Sequence, residues 1–284
     1  MTTTTQTPLI IGFVADLMFT TRIEAAAHHA GFRIHWIENA ATIGTIDINA
    51  PNETPGERLH GRSGQLFTQI TAWQPALLLF DLTNTAVPWQ AWIPLLKSSP
   101  ATRRIPILCF GPHQDVELMQ TARRVGADHV LARSRFTANM PQLLQQIARI
   151  PDYDAIVNAC AQPLPELARR GIALFNQGDY YQCHDDLEEI WRQDNAPGRE
   201  LYQGILQVGI ALYQIQRGNY RGAVKMLLRV RQWLAPLPAV CRGVDVARLR
   251  ANVETYYESL QGLTAVTLTE FDWSQVEPIL VQEG

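Results

Sequence analysis

Cysteine and charge are both scarce in this chain. Only four of its 284 residues are cysteine, and Cys109, Cys160, Cys183 and Cys241 form no C-x-x-C pair. That spacing speaks against a zinc knuckle and a disulfide framework, and it fits a reducing cytosol. Charged residues make up 18% of the chain, with a formal net charge of -3 and a pI near 6.2. No basic excess is available to neutralise phosphates, so nucleic acid is not an expected partner. No apolar run approaches the length of a membrane span. Leu9 to Met18 is short and contains Asp16, so it reads as a strand rather than a signal peptide. The Thr-rich start, Met1 to Pro8, has no basic targeting segment. The expectation is a soluble cytoplasmic protein with no membrane partner. At 46% hydrophobic residues it has enough apolar material for two ordinary domains.

The first half alternates between strand and helix signals. Leu9 to Ala15, Ala76 to Leu82 and Ile105 to Phe110 are apolar runs of the kind buried on both faces of a parallel sheet. Phe32 to Ile37 and His129 to Ala132 add two strands. Helices are expected over Thr21 to Ala30, Gln65 to Trp73, Trp89 to Lys97, Asp115 to Val125 and Asn139 to Ile150. Ala40 to Gly64, rich in Asn, Pro, Thr and Gly, reads as an irregular insertion. The fold class is α/β plus all-α, opening with a doubly wound parallel sheet over residues 1–150.

Three segments in this half resemble a response-regulator receiver domain. They are Gln-Pro-Ala-Leu-Leu-Leu-Phe-Asp ending at Asp81, Arg-Ile-Pro-Ile-Leu from Arg104, and Ala-Arg-Arg-Val-Gly-Ala-Asp from Ala122. The resemblance implies a phospho-acceptor at Asp81 and Mg²⁺ held by clustered carboxylates. The family's acidic pair after the first strand appears here as Ala15 and Asp16. Its Ser or Thr after the fourth strand is Gly111, and its Lys after the fifth is Arg133. Asp16, Asp81 and Arg133 therefore mark a degenerate phospho-acceptor pocket. The domain is expected to serve docking or self-association, with a protein partner or a second copy.

Residues 151–164 lack periodicity and read as a linker. The following residues, 165–262, read as an all-helical domain, with a tail over 263–284 that holds Phe271-Asp272-Trp273 as a strap. Gly171-Ile-Ala-Leu-Phe leading to Gly178-Asp-Tyr is echoed by Gly209-Ile-Ala-Leu-Tyr leading to Gly218-Asn-Tyr. The echo implies two related αα-hairpins in a compact helical bundle.

Within the first hairpin, Asp179 is the expected cap of a helix. At about 100° per residue, Tyr180, His184, Leu187, Glu188 and Trp191 share one stripe, and Asp186 falls on the water side. A His and a Glu thus stand where core residues are expected. Burial without a partner costs about 2–7 kcal/mol for a neutral polar group, so they must pair, bind something or line a cavity. Gln203, Gln207 and Gln214 form a polar stripe on the next helix.

His184-x-x-x-Glu188-x-x-Trp191, Leu201-Tyr-Gln-Gly204, Arg217-Gly-Asn219 and Gly243-Val-Asp-Val246 resemble domain-of-unknown-function family 309. Its members are described as predicted metal-dependent hydrolases. Relatives often carry Glu at the position of Asp185, and some carry His near Tyr213 or Gln214, where this chain has none.

Three readings of the site stay open. His184 and Glu188 at i and i+4 can ligate a divalent metal ion, with Glu188 or Asp185 as the base acting on metal-bound water. Tyr180, Trp191, Gln203 and Gln207 can line a ligand or peptide groove together with His184 and Glu188. The same residues can instead form a buried network that fixes helix register. The function expected is a regulatory or accessory protein, either with a metal-dependent hydrolytic site or as a non-enzymatic binding module.

Overall fold

The computed structural model describes residues 7–43 and 61–282. The chain divides into two units, one ending at Ile150 and the other running from Pro151 to the C-terminus.

The first unit is built on five parallel strands: β1 (Leu9–Phe13), β2 (Arg33–Trp36), β3 (Leu77–Asp81), β4 (Ile107–Gly111) and β5 (His129–Ala132), in the order β2-β1-β3-β4-β5. That is the flavodoxin-like, receiver-like winding, with the site expected at the carboxyl ends of the strands. Each residue of β1, β3 and β4 is buried, as their unbroken apolar runs require. Alternation splits the core in two. Ile11, Phe13, Leu78 and Phe80 pack under α2 (Gly61–Trp73), α3 (Trp89–Ser98) and α4 (Val116–Arg124). Ile10, Leu77 and Leu79 pack under α1 (Leu17–His29), α5 (Arg133–Ala138) and α6 (Met140–Ile147). Gly12 is required by packing: a Cβ there would stand 2.3 Å from the Trp36 ring.

Helix α1 begins four residues before the expected start because Asp16 caps it, accepting from the amides of Met18 and Phe19. Of the expected insertion, residues 44–60 lie outside the described residues. Ala40–Ile43 is a short 3-10 turn, and Gly61 already belongs to α2.

The second unit is helical apart from one small hairpin. It comprises α7 (Tyr153–Cys160), α8 (Glu166–Asn176), α9 (Cys183–Gln193), α10 (Glu200–Gln216), α11 (Tyr220–Leu234), the pair β6 (Val240–Cys241) and β7 (Val244–Asp245), and α12 (Val246–Gln261). The two hairpins of the sequence echo are α8–α9 and α10–α11. Gly178 and Gly218 turn them with φ of 82° and 72°, a conformation that a Cβ disfavours.

Residues 151–164 are not a bare linker. Asp152 caps α7 through the Ala155 amide, and Ile156, Ala159 and Cys160 are buried. Cys160 is disulfide-bonded to Cys241, 81 residues away, which runs against the reading of the cysteine spacing as that of a chain without a disulfide framework. The spacing gave no warning because α7 and the β6–β7 hairpin are brought together only by the fold. Beside the disulfide, Arg242 pairs with Asp194 at 2.8 Å and donates to the Pro163 carbonyl at 3.2 Å. The tail returns as a strap: Asn176 holds the backbone of Ile279 at both its N–H and C=O, and Val281 bridges to Val244.

Candidate functional site

At the carboxyl end of β3, Asp81 is 3% exposed and fully engaged. Its Oδ1 accepts from the Thr83 amide at 2.9 Å and the Thr83 hydroxyl at 2.6 Å. Its Oδ2 accepts from the Arg133 guanidinium at 2.7 Å. Arg133 also donates to the Thr83 hydroxyl at 3.1 Å and packs over the rings of Phe19 and Phe110. Asp16 stands 3.9 Å from Arg133, but its Oδ1 is spent on capping α1. Asp16, Asp81 and Arg133 thus meet, as the degenerate pocket requires. Where the receiver resemblance implies Mg²⁺, both Asp81 oxygens already face N–H or O–H donors and Asp16 Oδ1 is taken by the cap, while Asp16 Oδ2 stands 3.9 Å from Arg133. The residues do not fit a divalent ion as they stand, because one acid is left after β1 and the Asp81 oxygens already accept hydrogen bonds, which leaves too few oxygens for a hard cation. Thr83 is the member of this group that the sequence reading missed. A hydroxyl two residues after a strand-ending Asp was its available signal.

The second candidate site lies on α9. This helix starts at Cys183, and its cap position is Gln182, which makes no side-chain cap bond; Asp179 does not cap it. Its buried stripe is Cys183, Asp186, Leu187 and Ile190, which corrects the expected face by one step around the helix. Asp186 is inside rather than in water because Arg170 on α8 clamps both of its oxygens. That hydrogen-bonded guanidinium holds the Asp186 carboxyl below the usual range. His184 and Glu188 are not core residues: their side chains are 34% and 33% exposed.

Tyr180 precedes the helix, stacked on Trp273 and edge-on to Phe175, so it does not join the His184 edge. Cys183 donates to the Tyr180 carbonyl, and burial pushes its thiol up to about 12, which makes it inert as a nucleophile.

A metal ion suits this arrangement poorly. Asp185 addresses His184 Nδ1 at 3.3 Å, whereas Glu188 faces Nε2 at 3.9 Å. The two carboxylates lie toward opposite nitrogens of one ring and cannot converge with it on one ion. Glu188 is also held by Arg192 at 2.7 Å, which adds a cation where a metal would sit. No group of three or more His, Cys, Asp or Glu able to hold a metal occurs among the described residues.

Trp191 on α9 and Gln203 and Gln207 on α10 are half-buried. Trp191 lies under the Arg199 guanidinium, 5.2 Å from its ring. Its indole Nε1 and the side-chain oxygens of Gln203 and Gln207 are shielded from solvent and have no hydrogen-bond partner among the described residues.

With this geometry, the chain can be placed among known proteins. Residues 168–226, spanning α8 through the first half of α11, match the family described as Domain of unknown function (DUF309). An uncharacterized protein of Aquifex aeolicus is 29% identical over 90 residues, which is 31% of this chain and 27% of that protein. The uncharacterized protein YpuF of Bacillus subtilis is 34% identical over 90 residues, which is 31% of this chain and 52% of YpuF. The matched stretches therefore span between about a quarter and a half of these relatives' lengths. The N-terminal half has structural neighbours among receiver domains. Chemotaxis response regulator CheY4 of Vibrio cholerae is aligned over 50% of this chain and 98% of its own, at 11% identity and a TM-score of 0.37. The receiver-like fold itself rests on the β2-β1-β3-β4-β5 parallel order. Among the described residues, no helix is long and apolar enough to cross a membrane.

Proposed function

We propose that this chain is a non-catalytic binding protein. Its receiver-like unit docks a protein partner or a second copy without being phosphorylated, and its helical unit holds a ligand. The observation that carries the reading is the Arg133 guanidinium on Asp81. Standing where the family has Lys, it ties up Asp81 Oδ2 from a planar, permanently charged fork, so the acceptor oxygen is engaged rather than free. Neither nucleic acid nor membrane is a partner in this proposal, and the cytoplasmic location expected from the sequence is opposed by the Cys160–Cys241 disulfide, which a reducing compartment disfavours.

The test is the response of the full-length protein to beryllofluoride and Mg²⁺. The proposal expects unchanged thermal stability and oligomeric state. Stabilisation by several degrees that disappears in Asp81→Asn would overturn it.

A metal-dependent hydrolase is the reading suggested by the i, i+4 spacing of His184 and Glu188. The opposed carboxylates and the Arg192 cation weigh against it. Metal analysis of the purified full-length protein beside Glu188→Gln separates the two. Stoichiometric metal lost in the variant would favour hydrolysis, and equal trace content in both favours binding.

A further inference from the structure

We infer that the Cys160–Cys241 disulfide is a reversible redox latch, whose reduction releases α7 and turns residues 151–164 into a free tether. The inference is independent of the non-catalytic reading above. In a reducing compartment lasting disulfides are rare, and those that form are mostly catalytic or redox-sensing. The two cysteines stand 81 residues apart, without the C-x-x-C spacing of a redox catalyst. A bond that opens and closes reconciles the disulfide with a chain whose sequence otherwise fits the cytosol.

The two ends of the bond are held unequally. Cys241 is fully buried in the β6–β7 hairpin. That hairpin is tied to the strap, where the Gln282 amide donates to the Gly243 carbonyl at 2.8 Å and Val281 bridges to Val244. It is tied to α12 as well: Asp245 caps that helix, and the Ala247 amide donates to the Ala239 carbonyl at 3.0 Å. Cys160 instead closes α7, a helix of eight residues. Isolated helices shorter than about 12–15 residues are marginal in water, so α7 persists only by docking. Ile156, Ala159 and Cys160 are its buried residues, while Val157 faces outward. Ala159 rests on Gly198, where a Cβ would come within 3.2 Å.

Arg242 supplies the hydrogen bonds from the hairpin to this segment. Its backbone N–H donates to the Cys160 carbonyl at 2.6 Å, and its guanidinium to the Pro163 carbonyl at 3.2 Å. Both grip the C-terminal end of α7 and leave its body unbonded to the hairpin. The same guanidinium is committed to Asp194 at 2.8 Å and packs over the Tyr202 ring, so it stays with α9 and α10 whatever α7 does. With the disulfide closed, a covalent anchor holds α7 beside Arg242. With it open, those hydrogen bonds and a few buried side chains must offset the ordering entropy of the whole segment.

The reductant is a dithiol, small or protein-borne. Cys160 is 6% exposed against 0% for Cys241, and fraying of α7 from the turn Pro197–Arg199 and from β6 uncovers it further. A thiolate of the reductant attacks Cys160 Sγ, the S–S bond breaks, and Cys241 leaves as a thiolate that takes up a proton. The second thiol of the reductant then displaces Cys160 from the mixed disulfide. In sum, two electrons and two protons pass to Cys160 and Cys241, and the dithiol becomes a disulfide. Cys109 and Cys183 are buried and their thiols pushed up by that burial, so exchange stays within the pair. The helices matched by the family model lie between the two cysteines and pack on one another, α8 on α9 and α10 on α9 and α11, so they do not depend on α7. Once released, residues 151–164 extend to about 45 Å between Ile150 and α8.

The test is amide hydrogen exchange of the full-length protein with and without dithiothreitol, with thiol alkylation and mass mapping to report the state of Cys160 and Cys241. On reduction, the α7 amides are expected to exchange at least tenfold faster while those of α8, α9 and α10 keep their protection. Removal of the reductant and reoxidation by oxidised glutathione should restore α7. Cys160→Ser/Cys241→Ser should match the reduced wild type and not respond to dithiothreitol; if that variant does not fold, the reduced wild type alone decides. Unchanged α7 protection with both thiols free would overturn the latch. So would loss of protection across the whole helical unit, which would make the bond a structural staple. Equilibrated with mixtures of reduced and oxidised glutathione, the pair should pass from oxidised to reduced within the biological range, and a pair that stays oxidised throughout would also overturn the inference.

Discussion

Replacing Arg133 by Met isolates what the guanidinium does for Asp81. The carboxylate is 3% exposed, and three hydrogen bonds reach it. Two come from Thr83 to Oδ1 and survive the change. The third, on Oδ2, is lost together with the short-range counter-charge. Breaking a buried pair from one side costs about 3–5 kcal/mol. The Arg133 side chain is 35% exposed, so solvent already screens part of the pair, and a cost of about 2–3 kcal/mol is expected. Asp81→Asn keeps the shape and leaves Arg133 beside Asp16, at a cost of about 1–2 kcal/mol. The double variant should cost less than the sum by about 1–2 kcal/mol, because neither charge is then stranded. Native-state hydrogen exchange of the β3 amides in the full-length protein reads the opening of this unit directly. Single costs that add to within about 0.5 kcal/mol would refute the reasoning, since independent sites add in that way.

Other predictions concern the helical unit. Cys160→Ser, or reduction by a dithiol, releases a loop of 81 residues in the unfolded chain and should lower stability by about 4–5 kcal/mol in the entropic account; chemical denaturation with and without reductant checks this. Arg170 is 65% exposed, so solvent screens the pair, and Asp186→Asn should cost no more than about 1 kcal/mol at neutral pH. The pair also has a pH signature. Because the folded carboxyl lies below its ordinary value, its contribution is full above the unfolded range near pH 4 and fades as pH falls through the depressed folded value. Stability measured against pH should therefore show a shallower acid limb in Asp186→Asn than in wild type.

The legible parts of the fold were those with an unbroken physical signature. Runs such as Leu77–Phe80 announce a strand buried on both faces, and the substitutions at Ala15, Gly111 and Arg133 announce an altered acid pocket. What the pattern hid were polar groups made tolerable by partners far along the chain. Asp186 reads as a surface residue until Arg170, 16 residues earlier, is seen to hold it. Leu187 belongs to both candidate stripes of α9, so the buried aspartate shifted the inferred face onto His184 and Glu188. Arg231 is likewise buried, bonded to Glu254, 23 residues later, at 2.9 Å and packed over Tyr257. The pairing of Cys160 with Cys241 depends on α7 docking beside the hairpin. Yet α7 itself was readable, from the Asp152 cap followed by apolar Ile156, Ala159 and Cys160.

The central claim is that Asp81 is held by Arg133 and takes no phosphoryl group. Full-length protein incubated with acetyl phosphate and Mg²⁺, then analysed by intact mass and peptide mapping, tests it most directly. The account predicts no phosphorylated species. A phosphoryl group mapped to Asp81 and absent from Asp81→Asn would contradict it.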